Sequence, residues 1–431
     1  MRYVLNIIYL LLLLVLSPWL IYKALTTGKF RRGLWVKLTG RACVRETQAS
    51  CAWFHGVSLG EIHLLGPVVA AFRKRHPDWQ CVVSTTTDTG FEEATKRFAD
   101  LPVFHWPLDF SWAVSRALRR VQPSLVVLAE CELWPNFLSA CKSAGVQVAV
   151  INGRMSPRSR RRFEKFRWLV SGLFRRLDLC AVQTEEHAAA FRSLGSPSVV
   201  VTGSVKYDGA SLDRDNPRTR DMARLLDITP DDFVLVAGST QAPEEQVILD
   251  TYLKTKARHA NLRLILVPRH RERFDEVAAL IDRAGVPFLR RSRMDGPAKR
   301  HDVMLSDTIG ELSAIWGLAD VAYVGGSLDG VRGGQNMIEP AAYGAAVLFG
   351  PHTWNFKDTV ARLLEHGAAV QVADAGELEN EVARLLGDAH ARQELGEAAR
   401  HFVFSQQGAT AKTLQALDES IRESQVTSRA A

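Results

Sequence analysis

The stretch WFHGVSLGEIHLLGPVV (residues 53–69) sets one carboxylate, Glu61, behind a glycine, between an apolar run ending at His55-Gly56 and a second apolar run. It reads as strand, tight turn and helix start. An acid in a first helical turn suits the macrodipole and needs no further reason. The same junction is also where α/β enzymes set working groups, beyond the carboxyl ends of their strands. Other polar residues recur in that position. Glu130 and Glu132 close the run LVVLAE, Asn152-Gly153-Arg154 close VQVAVIN, and Lys206 follows VVVTG.

The second half of the chain offers phosphate chemistry. In YVGGSLDGVRGGQNMIEPAAYGAAVLFGPHTWNF (residues 323–356), Gly333 and Gly334 lead to Asn336, a good helix cap, and to a helix through Glu339, Ala341 and Ala342. Glycines admit a ligand close to the backbone, and free N–H groups at a helix start attract phosphate. Glu339, three residues past the cap, is placed to meet a ribose diol, or simply to complete a capping arrangement. In LVPRHRERF, Arg269 and His270 end a strand, and the arginine brings a planar fork of donors. No P-loop occurs, and no G-x-G-x-x-G opens a helix, so NTPase and dehydrogenase motifs are missing. The D-x-D of Asp213 and Asp215 is not at a strand end, so no metal site is read.

Stepping outward, these residues are carried by short apolar runs separated by helix-length segments. The runs are 51–56, 81–87, 125–130, 146–152, 179–184 and 199–203, then 233–239, 262–268, 286–290, 321–326 and 346–350. Such runs predict buried parallel strands in βαβ units. The fold class is therefore α/β, with two doubly wound domains in tandem and ligands bound in a cleft where they face each other. The expected division is an apolar helix over 1–22, a first domain over 23–207, a linker over 208–231, a second domain with terminal helices over 232–424, and a tail over 425–431.

With 431 residues the chain exceeds one compact core. A net charge of +7 and a pI near 9.1 predict an anionic partner. The six cysteines show no C-x-x-C pair or metal-ligand spacing and read as free thiols in a reducing compartment. Residues 4–22 are charge-free and long enough to span about 30 Å as a helix, weakened slightly by Asn6 and Ser17-Pro18. Lys23, Lys29, Arg31, Arg32, Lys37, Arg41 and Arg45 follow it before any acid, which predicts an uncleaved anchor with the bulk of the chain in the cytoplasm. That segment is expected to add nothing to either domain's core. Residues 154–176 interleave arginines with Phe163, Phe166, Trp168 and Leu169, a basic amphipathic helix suited to anionic lipid headgroups rather than nucleic acid.

With these motifs in place, the chain resembles the 3-deoxy-D-manno-octulosonic acid (Kdo) transferases of lipopolysaccharide synthesis. The resemblance rests on HGVSLGE (55–61), AECELWPN (129–136), INGRMS (151–156), TGSVKYD (202–208), AGSTQAPEE (237–245), LVPRHRERF (266–274), DTIGEL (307–312) and GGQNMIEP (333–340). It implies a GT-B fold and an inverting transfer of Kdo from CMP-Kdo to a lipid A precursor at the inner membrane, with no metal or other cofactor. Glu61 would be the general base, and Glu130 and Lys206 would stabilise the transition state. Pro268, Arg269, Ile309, Gly310, Glu311, Asn336, Met337, Ile338 and Glu339 would hold the CMP portion. The chain departs from the family pattern at Gln241, Gln335 and Met337 and in a longer loop over 328–334. The alternatives are another nucleotide-sugar enzyme of the same fold and a membrane-tethered nucleotide-binding protein without catalysis.

Overall fold

Most of the apolar runs form strands buried on both faces, which leaves no polar alternation, while 199–201 and 288–290 are only partly buried. The structure, a computed structural model, describes residues 2–27, 33–45, 48–297 and 300–430. Strands β1 (Cys51–His55), β2 (Gln80–Thr85), β3 (Val103–His105), β4 (Leu125–Ala129), β5 (Gln147–Gly153), β6 (Leu179–Val182) and β7 (Val199–Val201) make one sheet, in the order β3-β2-β1-β4-β5-β6-β7. Its pairings are all parallel. The order reverses between β1 and β4, so the crevice of a doubly wound sheet lies beyond the ends of those two strands. Glu61 follows β1 and Glu130 follows β4.

The second sheet repeats the plan. It comprises β8 (Phe233–Thr240), β9 (Leu262–Pro268), β10 (Phe288–Arg290), β11 (Val303–Leu305), β12 (Val321–Val324), β13 (Ala346–Phe349) and β14 (Val370–Gln371). They pair in parallel in the order β10-β11-β9-β8-β12-β13-β14, with the reversal between β8 and β12. Strands β3, β11 and β14 were not expected from the sequence. Each has three residues or fewer, and β3 and β14 are sheet edges.

The chain divides into one unit of Met1–Gly209 with Gln407–Ala431 and a second of Ala210–Gln406. This corrects the expected domain ends. The helix Ala409–Ala430 belongs to the first unit, where Ala409, Leu414, Leu417 and Ile421 share a core with Phe54, Ile62 and Phe72, and it runs on through the expected tail. Asp208 caps it, its carboxylate accepting from the N–H of Gly408 at 2.7 Å, Ala409 at 3.3 Å and Thr410 at 2.5 Å. From Ala210 onward the expected linker is instead part of the second unit. It contains the helix Pro217–Leu225, and the Arg214 guanidinium donates to the carbonyls of Gly317 and Ala319.

The apolar segment is a helix, α1 (Arg2–Thr27), with Ile7, Leu11, Leu14 and Val15 exposed. Among the described residues no helix is long and apolar enough to cross a membrane. Lys29, Arg31 and Arg32, counted in the predicted positive flank, lie outside the described residues. Within this segment Asn6 is buried and hydrogen-bonded to Ser111 of the first unit, a polar contact rather than a share of the apolar core. The basic stretch is two helices rather than one, Pro157–Lys165 and Arg167–Phe174, broken at Phe166. The first buries no side chain, and Trp168 at the start of the second is 81% exposed. All six cysteines are free, four of them buried.

Candidate active site

Glu61 lies in the first turn of the helix Leu59–Arg75, and its carboxylate turns back onto the loop that precedes it. Oε2 accepts from Val57 N at 2.8 Å and Oε1 from Ser58 Oγ at 3.1 Å. The structural role read from sequence is thus present, since the acid closes its own turn. Burial nevertheless pushes the carboxyl up to about 7, with the charge of Glu130 adding to the rise and the Val57 N–H opposing it. A group half-protonated near neutrality is suited to take a proton from a hydroxyl. The neighbouring His55 is fully buried, stacked on Trp106 at 3.8 Å, with Nδ1 against the Ser84 hydroxyl at 3.0 Å. Burial drives its imidazole down to about 3, so it is a neutral wall of the turn.

Glu130 ends β4 in the left-handed region, at φ +59°, a conformation uncommon for a residue with a side chain. Its N–H is held by the Ile151 carbonyl at 2.9 Å. The carboxylate meets Arg154 Nε at 3.0 Å and Lys206 Nζ at 3.8 Å. Lys206 is carried on a 3₁₀ turn, Val205–Tyr207, whose first N–H donates to the buried Asn152 side chain at 3.1 Å. Asn152 is itself left-handed, at φ +52°, and its Nδ2 is buried without a partner among the described residues. Glu132, two residues past Glu130, is raised by burial and by the Glu130 charge. The first unit therefore gathers Glu61, Glu130 and Lys206 at one sheet end. Arg154 joins them, a partner visible in sequence only as the last residue of Asn152-Gly153-Arg154.

In the second unit the glycine-rich segment is built around a buried acid that sequence reading passed over. Glu244 is 1% exposed and accepts from the N–H groups of Gly326 at 2.7 Å, Ser327 at 3.0 Å and Leu328 at 3.1 Å. Gln241 N at 3.0 Å and the Tyr323 hydroxyl at 2.8 Å complete the set. The chain coming off β12 thus wraps a carboxylate. Gly325 is required there, because a Cβ would come within 2.6 Å of the Thr240 backbone. The Gly326 carbonyl then accepts from Gly334 N at 2.7 Å, which fixes the far end of the loop. The signal was a pair of acids at a strand end, Glu244-Glu245, and both are buried.

The remaining predicted donor residues differ in what they present. Arg269 follows β9, is exposed, and makes no side-chain hydrogen bond or ion pair among the described residues. The nearby Arg273 is the opposite case, locked to Glu245 at 2.6 Å and Glu276 at 2.9 Å. Ile309 is 62% exposed beside Gly310, which is left-handed, while Glu311 is tied to Arg291 at 2.7 Å. Asn336 Oδ1 accepts from Ile338 N at 3.0 Å, and its Nδ2 donates to Glu339 Oε1 at 2.9 Å. Met337, rather than Asn336, takes the cap position of the five-residue helix Ile338–Ala342. Pro268, Met337 and Ile338 are buried and offer a ligand only backbone groups. Burial raises the Glu339 carboxyl, whose Oε2 has no protein partner among the described residues.

Two Rossmann-like units with parallel sheets, one with clustered strand-end carboxylates and the other with a glycine-rich strand end, have the fold of the GT-B glycosyltransferases. Residues 31–209 match the family model described as 3-deoxy-D-manno-octulosonic-acid transferase (kdotransferase). The transferase of Bordetella pertussis that carries this name is 36% identical over 395 residues, 88% of this chain and 90% of its own. That of Chlamydophila psittaci is 34% identical over 355 residues, 81% of each. The chain belongs to the family of 3-deoxy-D-manno-octulosonic acid transferases. Among solved structures, the UDP-GlcNAc 2-epimerase of Neisseria meningitidis bound to UDP-GlcNAc shares the fold, with a TM-score of 0.57 at 13% identity over 86% of this chain and all of that one.

Proposed function

We propose that the protein transfers Kdo from CMP-Kdo to a lipid A precursor (lipid IVA), with inversion at the anomeric carbon and Glu61 as general base. The observation that carries this reading is the Glu61 carboxyl, drawn up to about 7 beside Glu130 at the topological switch of the first sheet. The base takes the proton of the acceptor hydroxyl as that oxygen attacks the anomeric carbon, and the bond to CMP breaks on the opposite face. Lys206 and Arg154, both paired with Glu130, supply positive charge near the sugar carboxylate. Arg269, whose side chain has no partner among the described residues, meets the departing phosphate. Glu339 Oε2 and the backbone of Asn336 to Ile338 take the ribose, and Pro268 and the turn from Ile309 to Glu311 border the cytidine.

In this reading α1 tethers the chain to the cytoplasmic face of the inner membrane without crossing it, since Asn6 and Tyr9 are bound to the first unit, and both units lie on the cytoplasmic side. The exposed apolar side chains of α1 support the anchor. Trp168 and Leu169, exposed next to Arg158, Arg161 and Arg162, support contact with anionic headgroups. The test is incubation of the purified full chain with CMP-Kdo and a tetraacyl lipid A precursor. Release of CMP with a mass gain of one or more Kdo units on the lipid is expected. CMP release without a change in the lipid, or neither, would overturn the assignment.

A further inference from the structure

Asn6 stands in a mostly apolar helix, where a buried amide is costly unless it is hydrogen-bonded. Here both its amide atoms are hydrogen-bonded. Nδ2 donates to Ser111 Oγ at 2.7 Å, and Oδ1 accepts from Ser111 N at 3.0 Å and Asn136 Nδ2 at 3.3 Å. One turn along α1, the Tyr9 hydroxyl donates to Asp109 Oδ2 at 3.0 Å, and its ring meets Phe110 edge-on at 5.9 Å. Asp109 in turn accepts from Asn136 N at 3.0 Å and Phe137 N at 2.8 Å, and its carbonyl accepts from Asn136 Nδ2 at 2.6 Å. These bonds close the start of the helix Pro135–Ser143. The neighbouring positions of α1, Ile7, Ile8, Leu10 and Leu11, remain exposed, so the contact is a polar latch rather than an apolar face.

The latch lies at one end of a short connection. Residues 130–134 join β4 to the helix Pro135–Ser143 and include Glu130 and Glu132. The near end is fixed where Glu130 N meets the Ile151 carbonyl. The far end is fixed by Asp109 and Asn136, which are the groups Tyr9 and Asn6 hold. We propose that Asn6 and Tyr9 are positioning residues, through which α1 sets the geometry of the Glu130 connection. The N-terminal helix is then a working part of the first unit's site as well as a tether. This rests on the assignment of Glu130 above.

The test uses the detergent-solubilised full chain and the variants Asn6→Leu and Tyr9→Phe, both of which keep the helix apolar. Hydrogen exchange over residues 130–137 reads the latch without reference to activity, and faster exchange by roughly tenfold in Asn6→Leu is expected. With CMP-Kdo and the tetraacyl lipid A precursor, kcat should fall about tenfold with KM for CMP-Kdo unchanged, as expected for a displaced group that does not bind the donor. A tether alone moves neither quantity. Unchanged exchange, or faster exchange with unchanged kcat, overturns the proposal. If the wild-type chain does not turn over CMP-Kdo, the reading of the reaction has failed, and the exchange result alone decides the latch. Should Asn6→Leu fail to fold, the same measurements on Tyr9→Phe decide it, with a smaller change in the same direction.

Discussion

At the switch point of the first sheet, between β1 and β4, the acids crowd one another, and burial raises both Glu61 and Glu132. At the equivalent point of the second, between β8 and β12, Glu244 is sunk beneath the loop and surrounded by five donors. A strand-end acid with few donors is uncomfortable as an anion and ready to take up a proton. One wrapped in N–H groups is spent on shaping backbone. The same topology thus yields a reactive carboxylate or a moulded loop, depending on how many donors reach it.

The comparison is broken most severely at Glu61. Glu61→Gln keeps the shape but cannot accept a proton, so kcat should fall by about 10²–10⁴ with CMP affinity retained. In the wild type the base must be unprotonated, so kcat/KM should fall on the acid side of pH 7, set by a carboxyl at about 7. The linkage has the opposite sense. A carboxyl raised in the folded state contributes stability that is full below about 4.5 and lost as pH rises through about 7. Wild type should therefore lose stability relative to Glu61→Gln across that window, as thermal melts at pH 5 and 8 will show. A Glu61→Gln enzyme with near-normal turnover would leave only the capping role.

Next in size is the second unit. Glu244→Ala strands buried N–H groups and should cost about 3 kcal/mol or more, readable as a drop in Tm with weakened CMP binding. Arg269→Ala sharpens the contrast, because this side chain holds nothing among the described residues. Its Tm should stay within about 1–2 °C of wild type, while CMP affinity by calorimetry falls roughly 10- to 100-fold. The smallest effect belongs to Asp208→Ala, which removes the cap of the helix Ala409–Ala430 at a cost of about 0.5–2 kcal/mol and lowers Tm accordingly. Equal CMP affinities in Arg269→Ala and wild type would remove that arginine from the donor site.

The long strands were legible because burial on both faces leaves an unbroken apolar run, and the strand-end residues followed from them. The short strands β3, β11 and β14 were not, since two or three residues carry no period. The terminal helix is amphipathic in sequence, but nothing in its pattern says which sheet it covers. Its address is written elsewhere, in Asp208, a residue that closes the motif TGSVKYD and reads locally as part of a linker. Asn6 reads as a flaw in an apolar run because its partners Ser111 and Asn136 are more than 100 residues away. Glu244 was missed for the same reason: three of its five donors come from a loop about 80 residues downstream.

The return of the helix Ala409–Ala430 to the first unit makes the second unit an insertion within it. During synthesis the ribosome delivers residues 1–209, then the whole of the second unit, and only then the helix that covers Phe54, Ile62 and Phe72. At ~5–20 residues per second, the roughly 200 intervening residues take about 10–40 s. Through that interval the first sheet waits with an uncovered apolar face, while the second unit, continuous in sequence, has everything it needs to close. The part of the enzyme that begins first is completed last.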